Sequence, residues 1–559
     1  MSQRSTFVAL IFLTLAVVPA IAQGTGELQI VAISGDNQMT EPSQQSAPLV
    51  VQVQDLEGQP VAGASVSWNG SPSALNGSPV TFFANGETTV TDANGMTQNA
   101  VTMILPVTHS IRAFPPDSNT PVVFTLVNRL ANNGLLSANE RQVAAAVDQA
   151  CPALVGISLE TGNLTAEQGD LLDRCSAMVA SPSSASLRNA YDQVAREEVA
   201  AVLRNSTETA SGQRDNIETR MSALRGGSVQ RIASLEGLTV ALNGTAVPLA
   251  MAYQGDSGKD IDAPRGGFYI NGNISFGDRE ARDGDFEKGF DFDSQSVTAG
   301  FDRAVGQKTF LGAALGYSTS ESDFFNDGGG LEVEGYSLSG YVSHNVTDQF
   351  FVDGVVTFGQ NDYDSSTPIN YSLPNGSGGV DIVDQVATGE TSGDFFSVSL
   401  SAGYDVSREA LTWQTYGQAT YTDLTVDAYD EQLIAGLPGF GLGLHVGQQD
   451  IESMALVFGQ SLTYAVSTSW GVLLPHLRVE WEHELEDEAR TVSTFLLHDP
   501  NRQTIQMTTD PLDADQLNVG VGISAVFKGG NQFFLYYEKA FELERVDYNS
   551  IDFGFRFEF

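Results

Sequence analysis

Residues 396–404 read Phe-Ser-Val-Ser-Leu-Ser-Ala-Gly-Tyr, so that every second side chain is apolar. In an extended strand successive side chains point to opposite faces, and this pattern therefore predicts one apolar face and one small, polar face. Residues 517–527, Leu-Asn-Val-Gly-Val-Gly-Ile-Ser-Ala-Val-Phe, divide in the same way. The alternation recurs from about residue 266 to the C-terminus, which predicts an antiparallel β region there.

The connections between the predicted strands alternate in length. Those after strands 2, 4, 6, 8 and 10 are tight, whereas those after strands 1, 3, 5, 7 and 9 are longer and acidic and reach roughly thirty residues after strands 5 and 9. Short turns at one rim and long loops at the other are typical of an outer-membrane β-barrel with periplasmic turns and termini. We therefore predict a closed barrel of twelve antiparallel transmembrane strands within residues 255–559. The strands are 266–277, 290–304, 308–321, 331–346, 348–363, 393–406, 409–424, 450–466, 469–485, 514–528, 531–543 and 546–559.

The composition excludes several classes of protein. The 559 residues include 69 Asp or Glu and 27 Lys or Arg, and the resulting net charge of -42 would repel nucleic-acid phosphates. A hydrophobic fraction of 42% without a long apolar run in the mature chain argues against a helical membrane protein. Two cysteines are too few for a disulfide-dense scaffold or a zinc cluster. We expect no nucleic-acid partner, no cofactor and no metal site.

Residues 1–22 have the features of a secretory signal peptide. Arg4 supplies a positive charge, residues 7–18 form an apolar stretch too short to remain as a transmembrane helix, and Ala20-Ile21-Ala22 forms a cleavage site before Gln23. The chain is therefore expected to pass through the Sec export system into a compartment where disulfides persist.

From about Leu28 to Leu126 short alternating apolar runs are separated by turn residues, which predicts an all-β sandwich. Four ordered segments resemble the bacterial immunoglobulin-like domains of the invasin and intimin group: 34–38 (Ser-Gly-Asp-Asn-Gln), 48–55 (Pro-Leu-Val-Val-Gln-Val-Gln-Asp), 60–63 (Pro-Val-Ala-Gly) and 91–95 (Thr-Asp-Ala-Asn-Gly). The resemblance implies an immunoglobulin-like domain over residues 25–130 and a host or cell-surface ligand. Because this region has no cysteine pair, Trp68 is expected to pack against aliphatic neighbours.

Residues 131–254 change to helical spacing and are predicted to form a helical passenger segment and a linker helix. Two capping boxes, Ser137-Ala-Asn-Glu140 and Thr165-Ala-Glu-Gln168, mark the starts of two helices. Cys151 lies at the end of the first helix and Cys175 within the second, and we expect a disulfide between them in the exported chain. The alternative is a pair of free, buried thiols.

The stretch from about Thr207 to Arg225 predicts a helix with almost no apolar stripe, and such a helix needs an unusual environment. A barrel lumen lined by small polar and acidic side chains provides one, so we place this pore helix inside the barrel. The competing interpretation is a solvated stalk outside the membrane. The helix offers Arg214, Arg220 and Arg225 as candidates to pair with a luminal ladder on strand 9, formed by Arg478, Glu480, Glu482 and Glu484.

The terminal strand carries an aromatic stripe. Ile551, Phe553, Phe555, Phe557 and Phe559 alternate onto the side expected to face lipid. A C-terminal aromatic residue resembles the signal that the barrel assembly machinery recognises. The residues assigned to this signal are Phe555, Phe557 and Phe559, and the expected surroundings of the strand are outer-membrane lipids.

Four segments, taken in order, resemble autotransporters of the type V secretion class: residues 137–179, 220–227, the hairpin 297–318 and the terminal Phe-Gly-Phe-Arg-Phe-Glu-Phe of 553–559. The resemblance implies a twelve-stranded outer-membrane barrel, a helix through its lumen and an N-terminal passenger delivered to the cell surface. Passengers of this class are commonly long parallel β-helices. This chain lacks such a repeat, so the resemblance implies no enzymatic passenger activity.

Three motifs imitate catalytic or metal sites. Gly255-Asp-Ser-Gly258 is similar to the nucleophile loop of trypsin-like proteases, but lies in a linker-like sequence. Asp283-Gly-Asp-Phe-Glu287 begins like a calcium loop, yet Lys288 replaces the turn glycine. His476 and His483 share strand 9, but alternation places them on opposite faces. We assign no catalytic, cofactor or metal residue.

Two classes of function remain. In the first, the barrel anchors the chain and displays a small adhesion module that is not an enzyme. In the second, the protein is an outer-membrane hydrolase with an active site in the extracellular loops. A hydrolase needs a base, a nucleophile and an oxyanion donor that converge, and the sequence presents no such set. We therefore favour the first class.

Overall fold

The computed structural model describes residues 28–40, 44–75, 78–104, 108–128, 136–160, 162–181, 185–196, 211–222, 239–242, 245–248, 266–282, 286–306, 308–326, 328–374, 379–527 and 531–558. The predicted signal peptide and the Gly255-Asp-Ser-Gly258 motif lie outside these residues. The chain divides into two compact units, one ending at Val127 and the other running mainly from Asn128 to Phe559.

The N-terminal unit consists of small antiparallel sheets around one apolar core. Trp68 lies in this core and stacks on Phe124, with 6.3 Å between the ring centroids. The prediction of aliphatic neighbours for Trp68 was therefore wrong, because the strand Val122–Asn128, two positions away in the same sheet, supplies an aromatic ring. The strands are Gln29–Ser34, Gln38–Thr40, Leu49–Gln54, Ser65–Ser71, Ala74–Leu75, Ser78–Pro79, Thr81–Phe83, Thr88–Val90, Met96–Asn99, Val101–Met103, Thr108–Phe114 and Val122–Asn128.

Three helices follow: α1 (Ala138–Glu160), α2 (Ala166–Ala180) and α3 (Ala185–Ala195). Both predicted capping boxes are confirmed. The Glu140 backbone N–H donates to Ser137 Oγ at 3.1 Å, and the Gln168 N–H donates to Thr165 Oγ1 at 3.2 Å. The glutamate and glutamine side chains accept the reciprocal bonds from the cap residues, so orphan donors at both helix starts are satisfied. A fourth helix, α4, covers residues 211–222.

Twelve antiparallel strands close into a barrel, as predicted, because the first strand pairs with the last and the eighth pairs with the ninth. The luminal side chains are small and polar, and Ser399 is 4% exposed whereas its outward neighbour Leu400 is 61% exposed. The strands are β1 (Gly266–Arg279), β2 (Phe290–Val305), β3 (Thr309–Phe324), β4 (Gly329–Asn345), β5 (Phe350–Pro374), β6 (Val380–Arg408), β7 (Leu411–Val426), β8 (Gln449–Tyr464), β9 (Gly471–Glu484), β10 (Asp515–Phe527), β11 (Gln532–Phe541) and β12 (Val546–Glu558).

Luminal tyrosines lie over glycines of adjacent strands. A Cβ atom at Gly312 would lie 2.0 Å from the Tyr341 ring, and a Cβ atom at Gly520 would lie 1.8 Å from the Tyr536 hydroxyl. The same arrangement occurs at Gly300 with Tyr269 and at Gly459 with Tyr416. Glycine is required at these positions because the rings occupy the volume of a side chain.

The barrel has a turn end, where short connections join β2 to β3, β4 to β5, β6 to β7, β8 to β9 and β10 to β11, and an opposite loop end. The predicted long loop between strands 5 and 6 was wrong. Strands β5 and β6 stay paired as far as Pro374 and Val380, so that the segment is an extended hairpin. Its inward residues Ile369, Tyr371 and Val383 are buried by neighbouring elements, which explains why the alternation continues beyond the barrel wall.

Two connections at the loop end form a small antiparallel sheet, termed the loop sheet. Its strands are Tyr429–Asp430, Leu444–Val446, Thr491–Leu496 and Ile505–Thr508. Residues Thr239–Leu242 and Thr245–Pro248 pair as a separate short hairpin.

Helices α1, α2 and α3, termed the helical cap, pack at the loop end against the β5–β6 hairpin and the loop sheet in one apolar core. Residues Ala138–Leu159 of α1 are long and apolar enough to cross a membrane, with a mean hydropathy of 1.3. Here Val143, Val147 and Leu154 of this helix are buried in the shared core. A disulfide joins Cys151 to Cys175 and links α1 to α2.

Replacing Cys151 and Cys175 together by alanine is expected to destabilise the helical cap and leave the barrel intact. The bond spans a sequence separation of 24 residues, and losing such a loop closure costs roughly 3 kcal/mol in the chain-entropy model. Amide hydrogen exchange in α1 and α2 should accelerate, while exchange in the barrel strands stays unchanged. Reductant should reproduce the effect on the parent protein and do nothing to the variant. Equal exchange in parent and variant would contradict a stabilising role.

Candidate functional site in the barrel lumen

Helix α4 lies inside the barrel lumen, where polar side chains meet polar walls. Asn216 is 1% exposed, and its Nδ2 donates to Ser296 Oγ on β2 at 2.8 Å. Its backbone carbonyl accepts from Asn271 Nδ2 on β1, also at 2.8 Å. Small luminal residues thus provide hydrogen-bond partners for buried polar groups of the helix, which helps to stabilise it inside the barrel.

The strongest contact between α4 and the wall is an ion pair. Arg220 Nε and Nη2 approach Asp302 Oδ2 on β2 at 2.8 and 2.7 Å, and Arg556 Nη2 of β12 lies 3.3 Å from Asp302 Oδ1. All three side chains are buried. Gly267 separates the two strands, and a Cβ atom there would lie 2.7 Å from Arg556 Nε. The Asp302 carboxylate of β2 therefore binds two guanidinium groups, one from α4 and one from β12 on the far side of β1.

The predicted pairing of the pore-helix arginines with the strand-9 ladder was wrong for Arg220, which pairs with Asp302 instead. Arg214 contacts residues of its own helix: Nη2 lies 3.1 Å from Asp215 Oδ1, and Nε lies 3.8 Å from Glu218 Oε1. Alternation identifies the luminal face of a strand, but it does not determine which strand faces which side of a helix. Arg225 lies outside the described residues.

The helix also has an apolar side, which the sequence analysis missed. Ile217 and Met221 are one turn apart and are buried against Tyr269, Tyr341 and Val355 of the barrel wall. The i and i+4 spacing of these two residues was the available signal. Helix α4 is therefore held by an apolar seam as well as by its polar contacts.

Close approach of helix and wall depends on two glycines. A Cβ atom at Gly212 of α4 would lie 3.2 Å from Ser296 Oγ, and one at Gly316 of β3 would lie 1.7 Å from Gln213 Oε1. That Gln213 oxygen accepts a hydrogen bond from Thr298 Oγ1 at 2.9 Å. On the opposite side of the helix, Glu218 accepts from Ser399 Oγ and from Gln418 Nε2, both at 2.9 Å.

The ladder residues of β9 point into the lumen and contact both one another and residues of other strands. Arg478 lies 3.1 Å from Glu480 and 2.9 Å from Glu538 of β11, and its guanidinium lies over the Tyr536 ring at 4.5 Å. Glu538 was not predicted, although it alternates in phase with Tyr536 on β11. Glu482 accepts from Gln516 Nε2 at 2.8 Å, and Glu484 accepts from Ser453 Oγ at 2.7 Å.

Two cavities remain beside α4. One of about 140 Å³ is lined by Tyr416, His476 and Arg478 among others, and one of about 280 Å³ lies nearer the loop end beside Glu482 and Glu484. His476 stacks on luminal Tyr536, whereas His483 lies 2.9 Å from Asp515 and stacks on Trp481. Among the described residues, no group of three or more His, Cys, Asp or Glu side chains is placed to hold a metal.

The remaining sequence-predicted residues are placed as follows. Phe553 and Phe557 of β12 face outward, 39% and 54% exposed, and Phe555 is half-buried. Phe559 lies outside the described residues, so its role as an assembly signal stays a prediction. In the calcium-like motif, residues 283–285 are not described, and Glu287 lies 3.6 Å from Arg279 in an ion pair.

Helix α4 runs from the loop end towards the turn end of the barrel. Gly212 lies beside Ser296 in the middle of β2, whereas Arg220 binds Asp302, close to the turn that follows Val305. Strand β1 begins at the turn end, because Gly266 pairs with Arg303. The helical cap precedes α4 in sequence and lies at the loop end. Among the described residues, the chain therefore enters the lumen from the loop end at α4 and starts the wall at the turn end with β1.

A bulky side chain at Gly316 is expected to displace α4. In Gly316→Leu the new side chain would occupy the position of the Gln213 amide, so ion conductance through the purified barrel should rise. The matched control is Gly340→Leu on the neighbouring strand, where the Cβ position is open. Unchanged conductance of Gly316→Leu in a folded barrel would contradict the close packing of helix and wall.

Asp302→Asn should lower the stability of the barrel, because it removes the carboxylate that binds the buried guanidinium groups of Arg220 and Arg556. Removing one partner of a buried ion pair costs about 3–5 kcal/mol. The unfolding temperature of the barrel should fall. It is measured as the temperature at which the band of the folded protein shifts to the unfolded position in a denaturing gel. Asp515→Asn, which removes a more exposed carboxylate beside His483, is the control and should change it little. Equal unfolding temperatures for the two variants would contradict a stabilising role of the buried Asp302 ion pairs.

Comparisons with known proteins found one family and several solved structures. The family model described as autotransporter beta-domain matches residues 268–538. Among solved structures, the translocator domain of NalP from Neisseria meningitidis is 18% identical, with 54% of this chain and 91% of that chain covered and a TM-score of 0.41. The beta domain of the Bordetella autotransporter BrkA is 17% identical (53% and 100% covered, TM-score 0.35). The transport unit of AIDA-I from Escherichia coli is 10% identical (60% and 98% covered, TM-score 0.35).

No curated protein matches the chain. The family match begins in β1, ends within β11 and does not include β12. Residues 268–538 thus match an autotransporter β-domain, and together with β12 they form the twelve-stranded outer-membrane barrel of a type V secretion autotransporter, which exports a passenger to the cell surface.

Proposed function

We propose that this chain exports its own N-terminal part and keeps the all-β unit that ends at Val127 attached to the cell surface as a small adhesion module. The observation that carries the proposal is the direction of α4 in the lumen, from the cap at the loop end towards the start of β1 at the turn end. The cap packs at the loop end, α4 occupies the lumen, and β1 begins at the turn end. Long loops of outer-membrane barrels are extracellular, so the segment before α4 belongs outside the cell.

The surface of the N-terminal unit supports a binding role. Strand Gln29–Ser34 lies at the edge of a three-stranded sheet and exposes Val31 and Ile33. Met39 is 70% exposed. Exposed apolar side chains beside an open strand edge are typical of surfaces that contact another protein. The resemblance to invasin and intimin domains supports the same role, with a host or cell-surface ligand.

We propose further that the protein is not an enzyme. A hydrolase needs a histidine or another base next to a nucleophile. His445 lies 2.6 Å from Asp430 but stacks on Phe495, and His476 stacks on Tyr536 within the lumen. Their contacts are structural, and they support a display function over hydrolysis at the extracellular loops.

Intact cells that express the full chain should bind an antibody against residues 28–127, and external protease should remove this signal. The periplasmic side of the membrane is inaccessible to both reagents, so the signal requires export. The control is a deletion variant that lacks residues 28–127 but retains the barrel. Cells that express it should bind no antibody and should lose adhesion to host or neighbouring cells. Antibody binding only after the outer membrane is permeabilised would contradict the proposal. Surface exposure with unchanged adhesion of the deletion variant would contradict the adhesive role alone.

A further inference from the structure

The helical cap and the loop end of the barrel share one continuous apolar core. Leu154 of α1, Leu171 of α2 and Tyr191 of α3 are each at most 1% exposed in this core. The barrel side of the core comes from the β5–β6 hairpin and the loop sheet. Its buried residues are Ile369, Tyr371, Leu373, Val383, Ala387, Tyr429, Leu442, Leu444, Val446, Val492, Leu496, Ile505 and Met507. A continuous core of buried apolar residues from both sides is typical of a permanent interface.

A buried ion pair joins the end of the helical cap to the segment that borders the loop sheet. Arg196 directly follows α3 and is 0% exposed; its Nη1 binds the Glu431 carboxylate, and its Nη2 donates to the Leu442 carbonyl at 3.2 Å. Glu431 follows the loop-sheet strand Tyr429–Asp430 and also accepts from the Leu444 backbone N–H at 2.8 Å. Separating the cap from the barrel would break this buried ion pair, which is costly.

A second set of polar contacts ties α2 to the same surface. Arg174 binds Asp381 of the β6 hairpin strand. Asp170, one turn earlier, accepts from the backbone N–H groups of Gly439 and Gly441 at distances of 2.8–3.1 Å. The cation and the carboxylate of one helix thus both find partners on the barrel.

Side-chain amides of the cap also pair with exposed strand edges. Asn189 Nδ2 donates to the Asn370 carbonyl at 3.3 Å, and the Asn370 N–H donates to Gln193 Oε1 at 3.2 Å. Asn139 forms the same two-way pair with the backbone of Thr508, at 3.2 and 3.0 Å. Strand β5 extends past its partner β4, and α3 covers the edge that would otherwise be open.

None of these contacts depends on chain continuity between the cap and α4. We propose that the β5–β6 hairpin and the loop sheet form a docking site for the exported helical cap, and that this docking holds the N-terminal part of the chain on the cell even when residues 197–210 are cut. The partner of this surface is the cap of the same chain, joined through an apolar core, two buried arginine–carboxylate contacts and paired strand edges. This inference rests on the proposed function, because it places the cap outside the cell.

The test uses the full chain with a specific protease site, flanked by Gly-Ser segments, inserted between residues 200 and 205, and an affinity tag after Gln23. Intact cells are labelled with antibody against residues 28–127, treated with the protease and washed. Gels report how much chain is cut. We expect the cut N-terminal fragment to stay with the cells and, in detergent, to copurify with the barrel through its tag. Release of the fragment in proportion to cutting would overturn docking.

Substitutions then identify the contact. Arg196→Gln should increase release of the cut fragment about tenfold or more, because it removes the guanidinium that binds the buried Glu431 carboxylate. Arg188→Gln on α3 is the matched control and should release no more than the parent, because Arg188 is 60% exposed and its ion pair is with Glu140 of the cap. Glu431→Gln should add little to Arg196→Gln, because the two residues act as one pair. Equal release by Arg196→Gln and Arg188→Gln, in folded barrels, would contradict the assigned site.

The two proposals fail in different ways. Loss of antibody labelling before any cutting would contradict surface display. Normal labelling, followed by loss of the label after cutting, would contradict docking and leave surface display intact.

Discussion

The whole structure depends on closing the sheet between β1 and β12. In a bilayer every backbone N–H and C=O group of a spanning strand needs a partner within the protein, and closure provides one for each of them. Gly266–Arg279 pairs with Val546–Glu558 along almost its full length. The Arg556–Asp302 contact lies beside this seam, and Asp302 also binds Arg220 of the lumen helix. One buried carboxylate therefore connects closure of the wall to the position of the helix.

Closure also explains why the lumen is polar and only partly filled. Outward side chains meet lipid and are apolar, so alternation leaves small polar residues inside. Asn271 and Ser296 satisfy the polar side of α4, and Ile217 and Met221 form a short apolar seam on its other side. The cavities lie towards β7–β11, where Arg478, Glu480 and Glu538 form their own network. Helix α4 therefore packs closely against β1 and β2, whereas cavities separate part of it from β7–β11.

The sequence predicted the strand count, the closed barrel and both capping boxes, because alternation and helix-start chemistry are local. It failed where partners are distant in the chain. Arg220 pairs with Asp302, and Arg478 pairs with Glu538. These pairs depend on the position of each strand in the barrel wall, which alternation does not give. The β5–β6 hairpin was taken for a loop because serine and acidic residues alternate with Ile369 and Tyr371, which are buried in the core shared with the cap and the loop sheet. Phe124 beside Trp68 was missed because the two residues are distant in sequence.

The central claim is that α4 lies in the lumen against β2, and a disulfide trap tests it most directly. Cysteines replace Asn216 and Ser296, whose side chains are hydrogen-bonded at 2.8 Å, in a background without Cys151 and Cys175. Pairing Asn216→Cys with Val297→Cys, whose side chain faces outward, is the control. The account predicts oxidation of the 216–296 pair, and not of the 216–297 pair, in folded, membrane-inserted protein. Failure of the 216–296 pair to oxidise, with both thiols open to a bulky reagent, would contradict it.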